Sequence, residues 1–402
     1  MKVAVGILTA LYRANGQFVA ASEVRELLGS SNSVLEAEIA ALHKLGYVIE
    51  LHPHRGYRLL ESPDRLMADD LEARLDSVEA SLESVGANCI RDPEKSAAKQ
   101  SRLQTAPTTT RPMDSSRLET APTRSRVIGS EILVFEETAS TNDVCEQLAR
   151  SGGRDGLVVF AESQTKGRGR HGRTWVSPRG KGLWFSVLLR PQLSTPAAQR
   201  ITVAASVAVA RVVREIRGLD ARIKWPNDVT VQGKKLAGVL VETSARFDKS
   251  SKKIGGTVPP EQCVILGIGV NVDCTREEFP TEVAAIATSL WLETGQTQNR
   301  PALAAAILRA LDQWYWAALT EFDTVTDEWA RLCTTLGKQI VVAVGTRRVE
   351  GCAQALNGDG ALLVRKDNGQ VECILGGDLM VEREWGVAEG PLAQAGGKYA
   401  AQ

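Results

Sequence analysis

The chain has 402 residues, long enough for two or three domains with cores of their own. Lys+Arg and Asp+Glu both number 48, so no global field draws it to nucleic acid or a membrane, and any taste for anions must be local. Seven cysteines, odd in number and without a Cys-x-x-Cys pair, argue against a disulfide framework or a zinc site and for a reducing compartment. No apolar run approaches the ~18 residues of a spanning helix, and no small-residue cleavage site follows the start, so a cytoplasmic protein without membrane contact is expected.

In chain order, residues 3–15 have helical apolar spacing and stop at Asn15-Gly16. A second helix is expected from an N-cap at Ser22 to Gly29. A third runs over 31–45, with Val34, Leu35, Ile39, Leu42 and Leu45 as its apolar face, and 48–60 reads as a hairpin around His52-Pro53-His54-Arg55-Gly56. Three short helices and a hairpin predict a winged helix-turn-helix over 1–62. The recognition segment 31–39 carries Glu36 and Glu38 and no lysine or arginine, and carboxylates repel phosphates. Only Lys44 and the wing (His52, His54, Arg55, Arg58) are basic, while Ser31, Asn32 and Ser33 suit base or phosphate contacts. Operator binding and a vestigial or protein-contacting role therefore both stay open.

Residues 63–85 space Leu71, Leu75, Val78, Leu82 and Val85 as an amphipathic helix, read as lying on its own domain rather than as a coiled coil. Over 86–126, 15 of 41 residues are Ser, Thr or Pro, and the octet Ser101–Thr108 recurs as Ser116–Thr123. So little apolar surface predicts a disordered linker. Residues 127–333 alternate strand patterns (132–135, 157–161, 183–189, 221–224, 229–231, 236–242, 263–272) with helical ones (142–151, 197–217, 301–319). Residues 244–262 read as an extended hairpin tip. Over 334–386, short strands between turns at 357–360, 367–369 and 376–377 predict a small β-barrel, followed by a flexible tail at 387–402.

The run Gly167-Arg-Gly-Arg-His-Gly-Arg-Thr-Trp175 carries the most chemical information. Glycine lets backbone approach a ligand, and arginine presents a permanent charge and a fork of donors that match phosphate and carboxylate oxygens. No Gly-Lys-Ser/Thr follows, so the loop is not a Walker A motif. Around it stand Ser140-Thr141-Asn142, Gln164, Lys224-Trp-Pro-Asn227-Asp228, Lys234-Lys235-Leu-Ala-Gly238 and Gly267-Ile-Gly269. In this order and spacing the set resembles the biotin protein ligases, over roughly residues 129–385. A weaker likeness to their two-domain, DNA-binding members covers 1–60.

The resemblance implies an α+β protein. Its centre would be a mixed sheet with helices, of the class II aminoacyl-tRNA synthetase/biotin synthetase type, and its C-terminal barrel SH3-like. It implies ATP and Mg²⁺ as requirements, biotin as substrate, and two steps. Biotin's carboxylate attacks the α-phosphate to give biotinyl-5′-AMP, and a carrier lysine then takes the acyl group. Lys235 and Arg170 would be the catalytic cations; of two consecutive strand lysines one should point away, and the resemblance favours Lys235 over Lys234. Ser140, Thr141, Asn142, Gln164, Arg168, Gly169, Arg170, Trp175, Lys235, Gly267 and Gly269 would hold biotin or its adenylate. Ser140 would also suit a helix N-cap. Gly167, Arg173, Lys224, Asn227 and Asp228 would hold ATP, with Asp228 the candidate Mg²⁺ ligand; an Asx turn is the lesser, structural account of Asn227 and Asp228. After Gly376-Gly377-Asp378, Glu382 precedes Arg383 where the family often has a basic residue. The implied partner is the biotin carboxyl carrier domain of acetyl-CoA carboxylase; homodimerisation and DNA binding stay open, the latter opposed by the acidic recognition segment. A lipoate–protein ligase and a regulator using biotinyl-AMP as corepressor are the alternatives.

Overall fold

The structure is a computed structural model, and it describes residues 3–29, 31–84, 125–194, 196–216, 218–243 and 263–383. The duplicated octet, the expected hairpin tip at 244–262 and the tail at 387–402 lie outside the described residues. The chain divides into two compact units, Met1–Ser62 with Ala73–Val127, and Pro63–Glu72 with Ile128–Gln402.

The first unit contains α1 (Val3–Arg13), α2 (Ala21–Leu28), α3 (Asn32–Lys44), β1 (Val48–His52) and β2 (Gly56–Glu61). The two strands pair antiparallel, and Val19 adds a bridge to Tyr57. Two expectations are corrected. The N-cap of α2 is Ala20 without a side-chain bond, so Ser22 lies inside the helix, while Gly29 closes it in the left-handed region at φ 56°. In α3 only Leu35, Ile39 and Leu42 are buried. Val34 and Leu45 fall outside that stripe and are 41% and 49% exposed.

Helix α4 (Ala68–Ser84) buries Leu71 and Leu75 completely. Its remaining expected apolar positions, Val78, Leu82 and Val85, lie outside the residues whose side chains are described.

The second unit is built on a mixed seven-stranded sheet of β3 (Glu131–Phe135), β4 (Leu157–Ala161), β5 (Gly182–Leu189), β6 (Ala221–Lys224), β7 (Asp228–Val231), β8 (Lys234–Thr243) and β9 (Val264–Asn271). The order is β3-β4-β5-β9-β8-β7-β6, with β3 and β4 parallel and every other pair antiparallel. Helix α5 (Thr141–Arg150) packs Cys145 onto Leu157, Val159, Leu188 and Ile265. Helix α6 (Gln199–Glu215) is buried almost along its length, against β6, β7 and β8 and against α9 (Arg300–Thr320) and α10 (Phe322–Leu332). Short helices α7 (Thr281–Ala284) and α8 (Leu290–Thr294) follow β9. Beyond α10, strands β10 (Gln339–Val344), β11 (Arg347–Leu356), β12 (Leu362–Arg365), β13 (Val371–Ile374) and β14 (Asp378–Arg383) form an antiparallel sheet in the order β13-β12-β11-β10-β14.

One buried ion pair stands out in this unit. Arg300, 3% exposed at the start of α9, donates from Nη1 to Glu162 Oε2 at 2.6 Å and from Nε to Asp64 Oδ2 at 3.1 Å. Glu162, 4% exposed just after β4, also accepts from the Leu66 amide. Burial alone would lower the Arg300 pKa, but its bonds to Glu162 and Asp64 outweigh that and raise it. Among the described residues no helix is long and apolar enough to cross a membrane.

Candidate active site

Side chains alternate across a strand, so residues paired through β5, β9 and β8 form rows on one face of the sheet. One row reads Trp184, Gly269, Gly238 and continues through Asp228 to Lys224. The next reads Ser186, Gly267, Leu240. The glycines leave a trough on this face. Above it lies a cavity of about 640 Å³, lined by every expected site residue except Gly167. A Cβ on Gly167 would collide with the backbone of Trp175, so this glycine lets the arginine loop fold on itself.

What the side-chain-free positions admit is protein. The Trp175 indole lies over Gly269 and Gly238, where added Cβ atoms would stand 2.5 and 3.0 Å from it. A Cβ on Gly267 would meet the Asn142 amide. Trp175 also meets Trp184 edge-on, and Lys235 Nζ stands 5.2 Å from its ring centre.

The start of α5 and the segment that follows β4 supply the cavity's neutral wall. The Thr141 amide donates to Gln164 Oε1 at 2.8 Å, and Gln164 Nε2 donates to Ser177 Oγ. Ser140 occupies the N-cap of α5, but its side chain makes no cap bond; Gln164 satisfies the Thr141 amide instead.

The two leading arginines occupy opposite electrostatic situations. Arg168 donates to Asp143 Oδ1 at 2.5 Å and to Glu242 Oε2 at 2.8 Å. Its charge is thus already matched: burial lowers its pKa, and its bonds to Glu242 and Asp143 more than reverse the effect. Among the described residues Arg170 donates only to a neutral oxygen, Asn227 Oδ1, at 3.3 Å. Burial lowers its pKa, and the charges of Asp378 and Asp228 offset this only in part. A desolvated cation without a contacting carboxylate is poised for an anion. Arg173 is exposed and pairs with Asp378 at 3.1 Å.

Lys235 reaches the cavity through an irregularity. Thr230 pairs with Lys235 while Val229 pairs with Ala237, so Leu236 is an extra residue in β8. This bulge brings Lys235 onto the face of Asp228 and Gly238. Its Nζ lies 2.7 Å from Asp228 Oδ1, an ion pair on the cavity face. Its backbone anchors another wall: the Lys235 amide donates to Ile286 O, and Thr288 donates to Lys235 O.

The family model described as biotin/lipoate A/B protein ligase matches residues 134–256, and that of the biotin protein ligase C-terminal domain matches 335–379. A biotin–[acetyl-CoA-carboxylase] ligase of Paracoccus denitrificans is 32% identical over 238 residues, covering 58% of this chain and 93% of that protein. The chain belongs to the biotin protein ligase family. A relative named bifunctional ligase/repressor BirA, from Bacillus subtilis, is 26% identical over 89% of this chain and 92% of its own length. Among solved structures, the biotin protein ligase of Aquifex aeolicus in complex with biotin and ATP is similar at TM-score 0.52 and 27% identity, covering 63% of this chain and 100% of that one.

In this biotin protein ligase several cavity residues escape sequence reasoning. Phe279, Pro280, Val283, Ile286 and Ala287 form an apolar wall, and Ile286 is 62% exposed. No motif marks that stretch; only its apolar residues in a loop context could have signalled it. Gly377, Asp378 and Leu379 add a wall from the C-terminal sheet. The basic residue sought after Gly376-Gly377 is not what that sheet supplies: Asp378 pairs with Arg173, and Glu382 pairs with Lys338 at 3.4 Å.

The glycine trough yields a direct test. Gly269→Ala is expected to expel the Trp175 indole and cost about 1–3 kcal/mol, the usual range for overpacking. A lowered urea midpoint together with greater quenching of tryptophan fluorescence by acrylamide would register it; an unchanged midpoint would show that the indole moves freely.

Proposed function

We propose that the chain is an ATP-dependent biotin–protein ligase that forms biotinyl-5′-AMP and transfers biotin to a lysine of a carrier domain. The carrying observation is the cavity's chemical division. Thr141, Asn142 and Gln164 offer neutral hydrogen-bonding groups suited to a ureido ring, while Arg170, Lys224 and Lys235 supply cations for a carboxylate meeting phosphate. In the first step a biotin carboxylate oxygen bonds to the α-phosphorus and pyrophosphate leaves. In the second, the carrier amine attacks the acyl carbon, the acyl–phosphate bond breaks, AMP leaves and the amine loses a proton. Both steps gather negative charge on oxygens that Lys235 and Arg170 are placed to stabilise without reorganising water.

Mg²⁺ would screen the triphosphate, and Asp228 is the carboxylate on the cavity floor able to hold it. Among the described residues there is no cluster of three ligating groups, which suits an ion held chiefly by phosphate oxygens and water. The apolar wall from Phe279 to Ala287 would cover the nucleotide.

Incubation with biotin, Mg²⁺ and α-labelled ATP tests the reading. Labelled adenylate that discharges onto a carrier lysine supports it, and a folded protein that makes none refutes it. Arg170→Gly is expected to speed escape of the adenylate by about 10–100-fold, the range for a lost charged hydrogen bond, with a smaller effect on its synthesis. A chase with unlabelled biotin and ATP measures this, and an unchanged release rate would remove Arg170 from the phosphate.

The finer architecture belongs to the same proposal: a winged helix-turn-helix in residues 1–62, an SH3-like module in 334–386, and a biotin carboxyl carrier domain of acetyl-CoA carboxylase as acceptor, in the cytoplasm. A repressor role, with homodimerisation on DNA, takes support from the bifunctional ligase/repressors that match most of the chain. Against it stand Glu36, exposed, and Glu38, half-buried, on α3. Gel shifts on DNA upstream of biotin genes, with and without biotinyl-AMP, decide between them.

A further inference from the structure

Behind the neutral wall, four side chains form a continuous hydrogen-bonded chain that ends on the cavity. Glu242 on β8 is the acceptor in its ion pair with Arg168, whose Nη2 lies 2.8 Å from its Oε2. The Asn142 group facing that carboxylate at 2.7 Å must therefore be Nδ2, which turns Oδ1 toward Ser186. Ser186, on the neighbouring row and fully buried, lies 2.5 Å from Oδ1 and has one proton to give it. With that proton committed, the 2.7 Å contact between Thr141 Oγ1 and Ser186 Oγ runs with Thr141 as donor. The longer approach of Thr141 Oγ1 to Gln164 Oε1, 3.2 Å, then has no proton of its own, and Gln164 Oε1 is served by the Thr141 amide.

We infer that Glu242 and Ser186 are positioning residues that fix the donor–acceptor polarity of this wall, so that Thr141 Oγ1 meets the ligand as an acceptor. Every proton in the chain points back to the Glu242 charge, and the lone pair left over lies at the cavity. The subsite therefore selects a ligand that brings an N–H, as a ureido ring does, over one bringing an ether or carbonyl oxygen. A neutral amide in place of Glu242 would let Asn142 turn over and the order reverse. Gly267 belongs to the same device, because a side chain there would displace the Asn142 amide.

This inference rests on the biotin reading of the site, and the test separates the two. Isothermal titration would compare biotin with its two cyclic carbamate analogues, in which an oxygen replaces one ring N–H or the other. The unaltered protein is expected to reject one of the two by about 100-fold or more, since a site built to pair an N–H leaves its acceptor unpaired against oxygen. Ser186→Ala, which leaves Arg168 and its carboxylates untouched, is expected to weaken biotin by about 10-fold and that carbamate by less than twofold, with the KM for ATP unmoved. Glu242→Gln, of nearly the same shape, is expected to narrow the same preference should the alanine variant fold poorly.

An equal loss of both ligands in either variant would mean a merely structural role and overturn the inference, as would an unaltered preference. If the unaltered protein binds no biotin, the ligase reading itself falls. If it binds biotin but neither carbamate is disfavoured, the polarity argument alone falls.

Discussion

Replacement of Lys235 by alanine is expected to slow adenylate formation by about 10²–10³-fold, the range for deleting one preorganised donor to developing charge. The structure gives two reasons. The ammonium stands on the cavity face paired with Asp228, and its loss leaves that carboxylate without its cation, facing the incoming phosphate. The charge also lies against the Trp175 ring, so part of the pocket wall loosens with it. Single-turnover release of labelled pyrophosphate measures the first step apart from transfer. A Lys235→Ala rate within threefold of the unaltered protein would exclude this lysine from the chemistry.

Arg300→Ala is expected to destabilise the second unit by about 3–5 kcal/mol, because it strands the Glu162 carboxylate in the interior. Glu162 is 4% exposed, and Arg300 Nη1 is its charged partner at 2.6 Å. Removing both charges should cost far less. Arg300→Met/Glu162→Gln is expected to regain most of the loss, since the desolvation of two ions disappears together with their attraction. Urea denaturation of the four members of this cycle gives the coupling directly. Additive losses would mean that solvent reaches Glu162 in spite of its burial. Glu162 lies only two residues before Gln164, so a rise in the KM for biotin is expected to accompany the unfolding shift.

The two predictions draw on different kinds of information. Lys235 is legible from a short motif, Lys-Lys-Leu-Ala-Gly, because small residues beside a lysine in a strand pattern are a local signature. The pairing of Arg300 with Glu162 is not: the partners are 138 positions apart, and each alone reads as an ordinary surface charge. The same holds for Ser186 and Glu242, a serine and a glutamate at alternating strand positions. They matter only because β5, β9 and β8 align them with α5. Helix α10 was open to reading, since Phe322, Val325, Trp329 and Leu332 keep helical spacing and are all buried. The width of the α3 face was not, because burial of Val34 and Leu45 depends on what packs there.

By itself the sequence determined the period of each element and the inventory of site chemistry: the arginine loop, the Ser-Thr-Asn start of α5, Gln164, the Lys224–Asp228 turn and the two lysines. These are local patterns of charge, size and backbone freedom, which a chain states directly. The tertiary structure alone decided which member of each set does what. Strand register laid Trp175 over Gly269 and Gly238, a one-residue bulge turned Lys235 to the cavity, and the carboxylates of Asp143 and Glu242 claimed Arg168 while leaving Arg170 without one. The reason is physical: whether a charge is free or spent, and which way a hydrogen bond runs, depends on neighbours that only folding brings within about 3 Å.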